Sequence, residues 1–159
     1  MADGKHLVVY YSRTGNTRKV AQAVAKLLGA DVEEIVDKKE RSGAVGFLVG
    51  AKDARLKRLT DIESPSRDPS QYGTVLIGTP VWAWTMSPAV RTYLARMKER
   101  LPRVAFFLTT GGTGIERTFK AMSRVSGKQP VATLGIKERE LRKEDWQRRA
   151  SEFAAAVQA

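Results

Sequence analysis

Three short stretches concentrate side chains able to hold a small anionic ligand. Ser12-Arg13-Thr14-Gly15-Asn16-Thr17 places three hydroxyls and an amide around a glycine, at the point where an apolar run gives way to a helical pattern. Hydroxyl donors and the unpaired N–H groups that open a helix together make a phosphate cradle; the same residue types also make an ordinary helix N-cap. Thr79 to Pro88 carries Trp82 and Trp84, two of the chain's three tryptophans, between Pro80 and Pro88. Indole faces there could stack on a flat ligand, or pack beneath neighbouring helices as large aromatics usually do. Thr109-Thr110-Gly111-Gly112-Thr113-Gly114 is rich in glycine, which lets backbone amides approach a ligand closely or serves a flexible turn.

What these stretches can do depends on the elements that position them. Lys5 to Tyr11 reads as a buried strand, and Val20, Ala21, Val24, Leu27 and Leu28 form a helical face closed by Gly29. Asp31 to Val36 reads as a second strand. In the segment 37–73, Val45, Leu48, Val49, Leu56 and Leu59 suggest a helix interrupted by Gly46 and Gly50, followed by turn-rich residues. Thr74 to Thr79, Arg103 to Thr110 and Val131 to Ile136 supply three more strands. Helices are expected over Pro88 to Leu101, around Ile115, Phe119, Met122 and Val125, and along the Trp146, Ala150, Phe153, Val157 stripe.

Apolar strands alternating with helices call for a parallel sheet covered on both faces. The expected architecture is one α/β domain over residues 1–159, a doubly wound five-stranded parallel sheet in the order 2-1-3-4-5. That order makes strands 1, 3 and 4 neighbours, so the three stretches, each leaving the carboxyl end of one of them, meet at a single edge.

Composition narrows the chemistry. The 159 residues are 42% hydrophobic and 28% charged, within the range of ordinary globular domains. With no cysteine there is no disulfide framework, thiolate metal site or cysteine nucleophile. The lone His6 opens the first strand as an expected solvated edge residue and has no partner for a metal site. The start of the chain lacks a signal peptide's apolar run, and no stretch reaches the ~18 apolar residues of a membrane span; a cytoplasmic protein without membrane insertion is expected. A net charge of +11 favours anionic partners, although no recognition helix or aromatic-basic array points to nucleic acid.

The Ser12 to Thr17 run resembles the phosphate loop of flavodoxins: Ser or Thr, any residue, Thr, Gly, any residue, Thr, after strand 1. "VLIGTPVWAWTMSPAVRTYL" with "VAFFLTTGGTG" is similar to bacterial flavodoxin-like proteins. The resemblance spans essentially the whole chain and implies non-covalent FMN, with Ser12, Arg13, Thr14, Gly15, Asn16 and Thr17 at the phosphate. Pro80, Val81, Trp82, Ala83 and Trp84, with Thr110, Gly111, Gly112, Thr113 and Gly114, would line the isoalloxazine. Gly73 stands where relatives often carry an acid, and Trp84 where many carry glycine. A receiver domain of this fold needs acids ending strands 1 and 3, and a small phosphatase needs a loop cysteine; neither is present.

Two functions fit. One is an electron carrier between a reduced donor and an acceptor, docking an acidic or anionic partner through its basic surface. The other is an FMN-dependent NAD(P)H:quinone-type oxidoreductase. Seven cations from Lys38 to Arg58 face only Glu40 and Asp53, a field that would favour the anionic reduced flavin if it reaches the ring and that salt screens if it does not. The flavin would carry the reactive atom, so no catalytic residue is assigned. Trp146 belongs to the core or to a homodimer contact.

Overall fold

The computed structural model describes residues 4–159. Five parallel strands, β1 (His6–Tyr10), β2 (Asp31–Glu34), β3 (Thr74–Trp82), β5 (Arg103–Thr110) and β6 (Thr133–Lys137), lie in the order β2-β1-β3-β5-β6. This is the expected doubly wound order with one addition. β3 runs three residues past Thr79 and folds back into β4 (Thr85–Met86), pairing Val81 with Met86 and Trp82 with Thr85 in an antiparallel hairpin.

Helices α1 (Asn16–Leu28) and α5 (Asp145–Gln158) cover one face, and α2 (Gly43–Arg55), α3 (Pro88–Met97) and α4 (Ile115–Ser126) the other. The three central strands, β1, β3 and β5, therefore feed two cores. On β1, Leu7 and Val9 join the side that holds Tyr93, Phe106 and Met122, while Val8 and Tyr10 join the side that holds Val20, Phe107 and Trp146. Alternation along a strand buried on both faces produces this division. Trp146 is a core residue, 2% exposed, with the Lys19 ammonium 5.9 Å from its ring.

Two expectations change. His6 is not a solvated edge residue: β1 lies between β2 and β3, the ring is half-buried, and burial, with Arg103 adding to it, lowers its pKa. Helix α2 is not interrupted by its glycines. It is continuous, and Gly46, Gly50, Asp53 and Ala54 form its buried side while Val45, Phe47 and Leu48 face out.

That inversion has a physical cause. Gly50 lies against the Trp82 indole, where an added Cβ would come within 2.9 Å of Cζ3. Beside it the Asp53 carboxylate accepts from Arg41 Nη1 at 2.7 Å, Lys39 Nζ at 2.8 Å and Arg58 Nη1 at 3.3 Å. Arg41 also donates through Nε to Asp37 at 3.0 Å. Breaking such a buried pair by removing one partner costs about 3–5 kcal/mol, so the ion cluster and the glycine contact fix which way α2 turns.

Candidate functional site

The loop after β1 turns at Gly15, φ 101°, whose N–H donates to Ser12 Oγ at 3.0 Å. The Ser12 hydroxyl accepts there and keeps its own proton to give. The first helical hydrogen bond of α1 is from Lys19 N–H to the Gly15 carbonyl, which leaves the N–H groups of Asn16, Thr17 and Arg18 without helical acceptors. No acidic side chain occupies the first turn. Free donors, the positive end of the helix dipole and an unopposed hydroxyl proton are the features an anion site requires.

Two of the expected loop residues are committed elsewhere. Arg13 reaches away from the loop and donates to the Arg41 carbonyl at 2.7 Å and the Gly43 carbonyl at 3.0 Å, tying down the segment that leads into α2. Thr17 is buried and shares a 2.8 Å hydrogen bond with Thr109 Oγ1 of β5. One proton of that hydroxyl pair is used between them and the other is free to be donated. Thr14 is exposed at the loop's crest and Asn16 is half-buried.

The three loops converge. Thr17 to Thr109 joins the first loop to the strand that carries the third. Tyr11 meets Trp82 edge-on, with ring centroids 5.6 Å apart, joining the first loop to the hairpin. Gly114, φ 86°, lies under the hairpin turn, where a Cβ would come within 2.9 Å of the Trp84 Cα. Burial raises the Tyr11 pKa to about 12, with Asp37 adding to it, so the phenol remains neutral throughout the physiological range.

The structure parts the two tryptophans. Trp82 packs inward: Tyr11 meets it edge-on, Gly50 lies at close approach and the Arg41 guanidinium is 5.9 Å from its ring. It is half-buried, and what it leaves open faces a small cavity with Arg13, Phe47 and Ala51. Trp84 is 52% exposed at the hairpin tip. With Val81, Ala83 and Thr110 to Thr113 it lines an open cleft of about 370 Å³. Cβ atoms placed on Gly111 or Gly112 would meet nothing within 4 Å, so the cleft is open above the bare backbone. Thr110 holds the third loop in shape, donating to the Thr113 carbonyl at 2.7 Å and accepting from Gly112 N–H at 3.2 Å. Pro80 is half-buried on β3 ahead of the turn.

The turn itself is strained. Ala83 and Trp84 have φ 49° and 66°, as a two-residue hairpin of the primed type requires, but these positions favour Asn and Gly. Non-glycine residues held there cost about 1–3 kcal/mol each and persist where the surroundings enforce them.

Sequence reasoning missed Arg91. It is 6% exposed beneath the hairpin, donates to Thr85 Oγ1 at 3.1 Å, and its Nε has no partner among the described residues. Burial, and then the nearby Arg124, lower its pKa. Its place three residues before Leu94 on the inward arc of α3 was the signal. In the basic segment 38–58, Lys39, Arg41 and Arg58 all pair with Asp53.

Comparison with known proteins gives the family and the fold. The sequence profile of the flavodoxin family matches residues 5–134. The chain belongs to the flavodoxin family. Among solved structures it is similar to the flavoprotein of Lactobacillus acidophilus NCFM, crystallised in complex with FMN, at 22% identity and a TM-score of 0.73 over 89% of this chain and 97% of that one. A Bacteroides uniformis protein assigned as a flavoprotein aligns at 20% identity and TM-score 0.76, covering 96% and 98%. Oxidised Flavodoxin 2 of Bacillus cereus aligns at 18% and 0.60, covering 96% of each chain. At these identities the likeness is one of fold. No curated protein sequence matches the chain.

Proposed function

We propose that this protein binds FMN non-covalently at the edge shared by β1, β3 and β5 and carries electrons between a reduced donor and an acceptor. The observation that carries the reading is the convergence of an anion site and an open, glycine-floored cleft on one edge, joined by the Thr17–Thr109, Tyr11–Trp82 and Gly114–Trp84 contacts. The residues present fit the group. Ser12 and the N–H groups of Asn16, Thr17 and Arg18 would hold the phosphate, with Thr14 and Gly15 shaping the loop. Val81, Ala83, Trp84 and Thr110 to Thr113 would flank the ring system, and Gly114 and Pro80 would set the hairpin against it. When bound, FMN supplies the redox chemistry.

The chain's own part is to position and to exclude. Trp84 offers its exposed indole as a stacking surface, Tyr11 and Trp82 close the back of the site, and the backbone of Gly111 and Gly112 leaves room that side chains would fill. The direct experiment is the visible spectrum of the purified protein, followed by denaturation. A yellow protein that releases one FMN per chain supports the reading; a colourless protein that takes up no added FMN overturns it.

A second reading, an FMN-dependent NAD(P)H:quinone-type oxidoreductase, is favoured by one observation: the cleft beside Trp84 opens to solvent with no carboxylate among its lining residues, leaving room for a small acceptor. Oxidation of NADPH by a quinone, catalysed by the FMN-loaded protein, distinguishes it from a carrier that works only with a protein partner.

A further inference from the structure

Helix α2 buries its small residues and shows its large ones. Val45, Phe47 and Leu48 are 75%, 57% and 66% exposed, which a surface helix of a soluble domain avoids by turning its apolar stripe inward. The Gly50–Trp82 contact and the Asp53 cluster prevent that rotation. The outward side is not a flat patch. Phe47, Leu48, Leu56 and Trp84 wall a groove of about 630 Å³, with Lys52 and Arg55 beside them, a volume within the roughly 300–1,000 Å³ of small-molecule sites.

We infer that this groove binds a flat apolar molecule bearing an anionic group, such as an aromatic carboxylate. The charge argument is specific. No acidic residue lines the groove, and Lys52 and Arg55 form no ion pair among the described residues. The acid next to Lys52 in sequence, Asp53, is turned to the opposite side and saturated by three cations. Two unpaired cations in an apolar groove complement a ligand that joins a hydrophobic body to a negative charge, since a charge-assisted hydrogen bond made there adds to the burial of the ring. The locked helix makes the groove pre-formed, which reduces the ordering cost of binding.

The shape and the charge argue against other occupants. A symmetric pairing of two copies through this groove would gather the Lys52 and Arg55 of both into one interface with no acid among its lining residues, since the same patch is used twice. A membrane-surface helix keeps its cations on the polar face opposite the apolar one, whereas here they stand within the apolar stripe. The groove shares Ala83 and Trp84 with the cleft over Thr110 to Thr113. As the seat of an electron acceptor or donor it rests on the FMN reading; as a binding site it does not.

The test is calorimetric titration of the purified holoprotein with 2-naphthoate and with its neutral isostere 2-naphthamide, with bound flavin measured by absorbance in parallel. The expected result is one naphthoate per chain, binding about tenfold or more tighter than naphthamide. K52Q/R55Q removes that preference, and F47S/L48S weakens both ligands, each with flavin content unchanged. Absence of naphthoate binding, a naphthoate affinity unchanged by K52Q/R55Q, or a dimer that buries Phe47 and excludes both ligands overturns the inference. Flavin content is a separate readout: a flavin-free protein that still prefers naphthoate retains the groove and loses the FMN reading, and a flavin-loaded protein blind to naphthoate does the reverse.

Discussion

A Cβ on Gly114 would lie 2.9 Å from the Cα of Trp84, so the third loop presses directly on the backbone of the hairpin tip. Gly114 also has φ 86°, a region where a side chain costs about 1–2 kcal/mol. Gly114→Ala therefore carries two penalties, because a backbone atom cannot rotate away from the new methyl and overpacking adds about 1–3 kcal/mol. The expected loss is about 2–5 kcal/mol in denaturant unfolding. It is accompanied by weakened FMN affinity as the hairpin is pushed off the cleft.

The Ala83–Trp84 turn points the other way. Trp84→Gly places the preferred residue at the second turn position and removes strain of about 1–3 kcal/mol. The variant should unfold at higher denaturant. If Trp84 stacks on the flavin, losing about 0.5–1.5 kcal/mol of aromatic contact weakens FMN binding roughly two- to tenfold. Gain of stability together with loss of affinity, measured by unfolding and by flavin fluorescence titration, is the signature of strain kept for function.

These two residues also show where the sequence was legible. β5 and the strand order followed from apolar runs and their alternation with helices, because parallel strands buried on both faces leave little freedom. The hairpin did not, because Ala-Trp carries none of the Asn or Gly signals that mark such a turn. The same turn explains why Trp82 and Trp84, two residues apart, part company: positive φ at both turn residues sends Trp82 inward against Gly50 and leaves Trp84 exposed. In α2, apolar periodicity located the helix and misjudged its direction, since it reports a stripe and not what that stripe faces. The inward side is set by Gly50 and by Asp53, and neither is apolar bulk. The phosphate loop was legible as a motif, whereas the diversion of Arg13 to the carbonyls of Arg41 and Gly43 depended on residues about thirty positions away.

Asp53 makes stability depend on acid. Burial pushes its carboxyl pKa up, but hydrogen bonds from Lys39, Arg41 and Arg58 outweigh burial and hold it at about 2, below the ordinary 3.8. A depressed folded-state pKa stabilises the protein above the unfolded value and loses that contribution as pH falls through the folded one, here about 2 kcal/mol between about pH 4 and about pH 2. Asp53→Asn should cost about 3–5 kcal/mol at neutral pH, because Arg41 remains buried. Its deficit should narrow by about 2 kcal/mol across that acid window in urea titrations. A deficit independent of pH would contradict the role given to the carboxylate.

Ser12→Ala tests the anion site apart from the fold. The hydroxyl accepts from Gly15 N–H and keeps a proton for the ligand, and a hydrogen bond to a charged group contributes about 1.5–3 kcal/mol. FMN affinity should fall roughly 10- to 100-fold, while riboflavin, which has no phosphate, should bind the variant and the parent alike.

The most direct measurement is the titration of the flavin-free protein with FMN and with riboflavin, followed by quenching of flavin fluorescence. If the opening turn of α1 grips a phosphate while the cleft beside Trp84 takes the ring, one FMN binds per chain at least ~100-fold tighter than riboflavin, the difference expected from two or more charge-assisted hydrogen bonds. Equal affinity for the two, or no quenching by either, would contradict it.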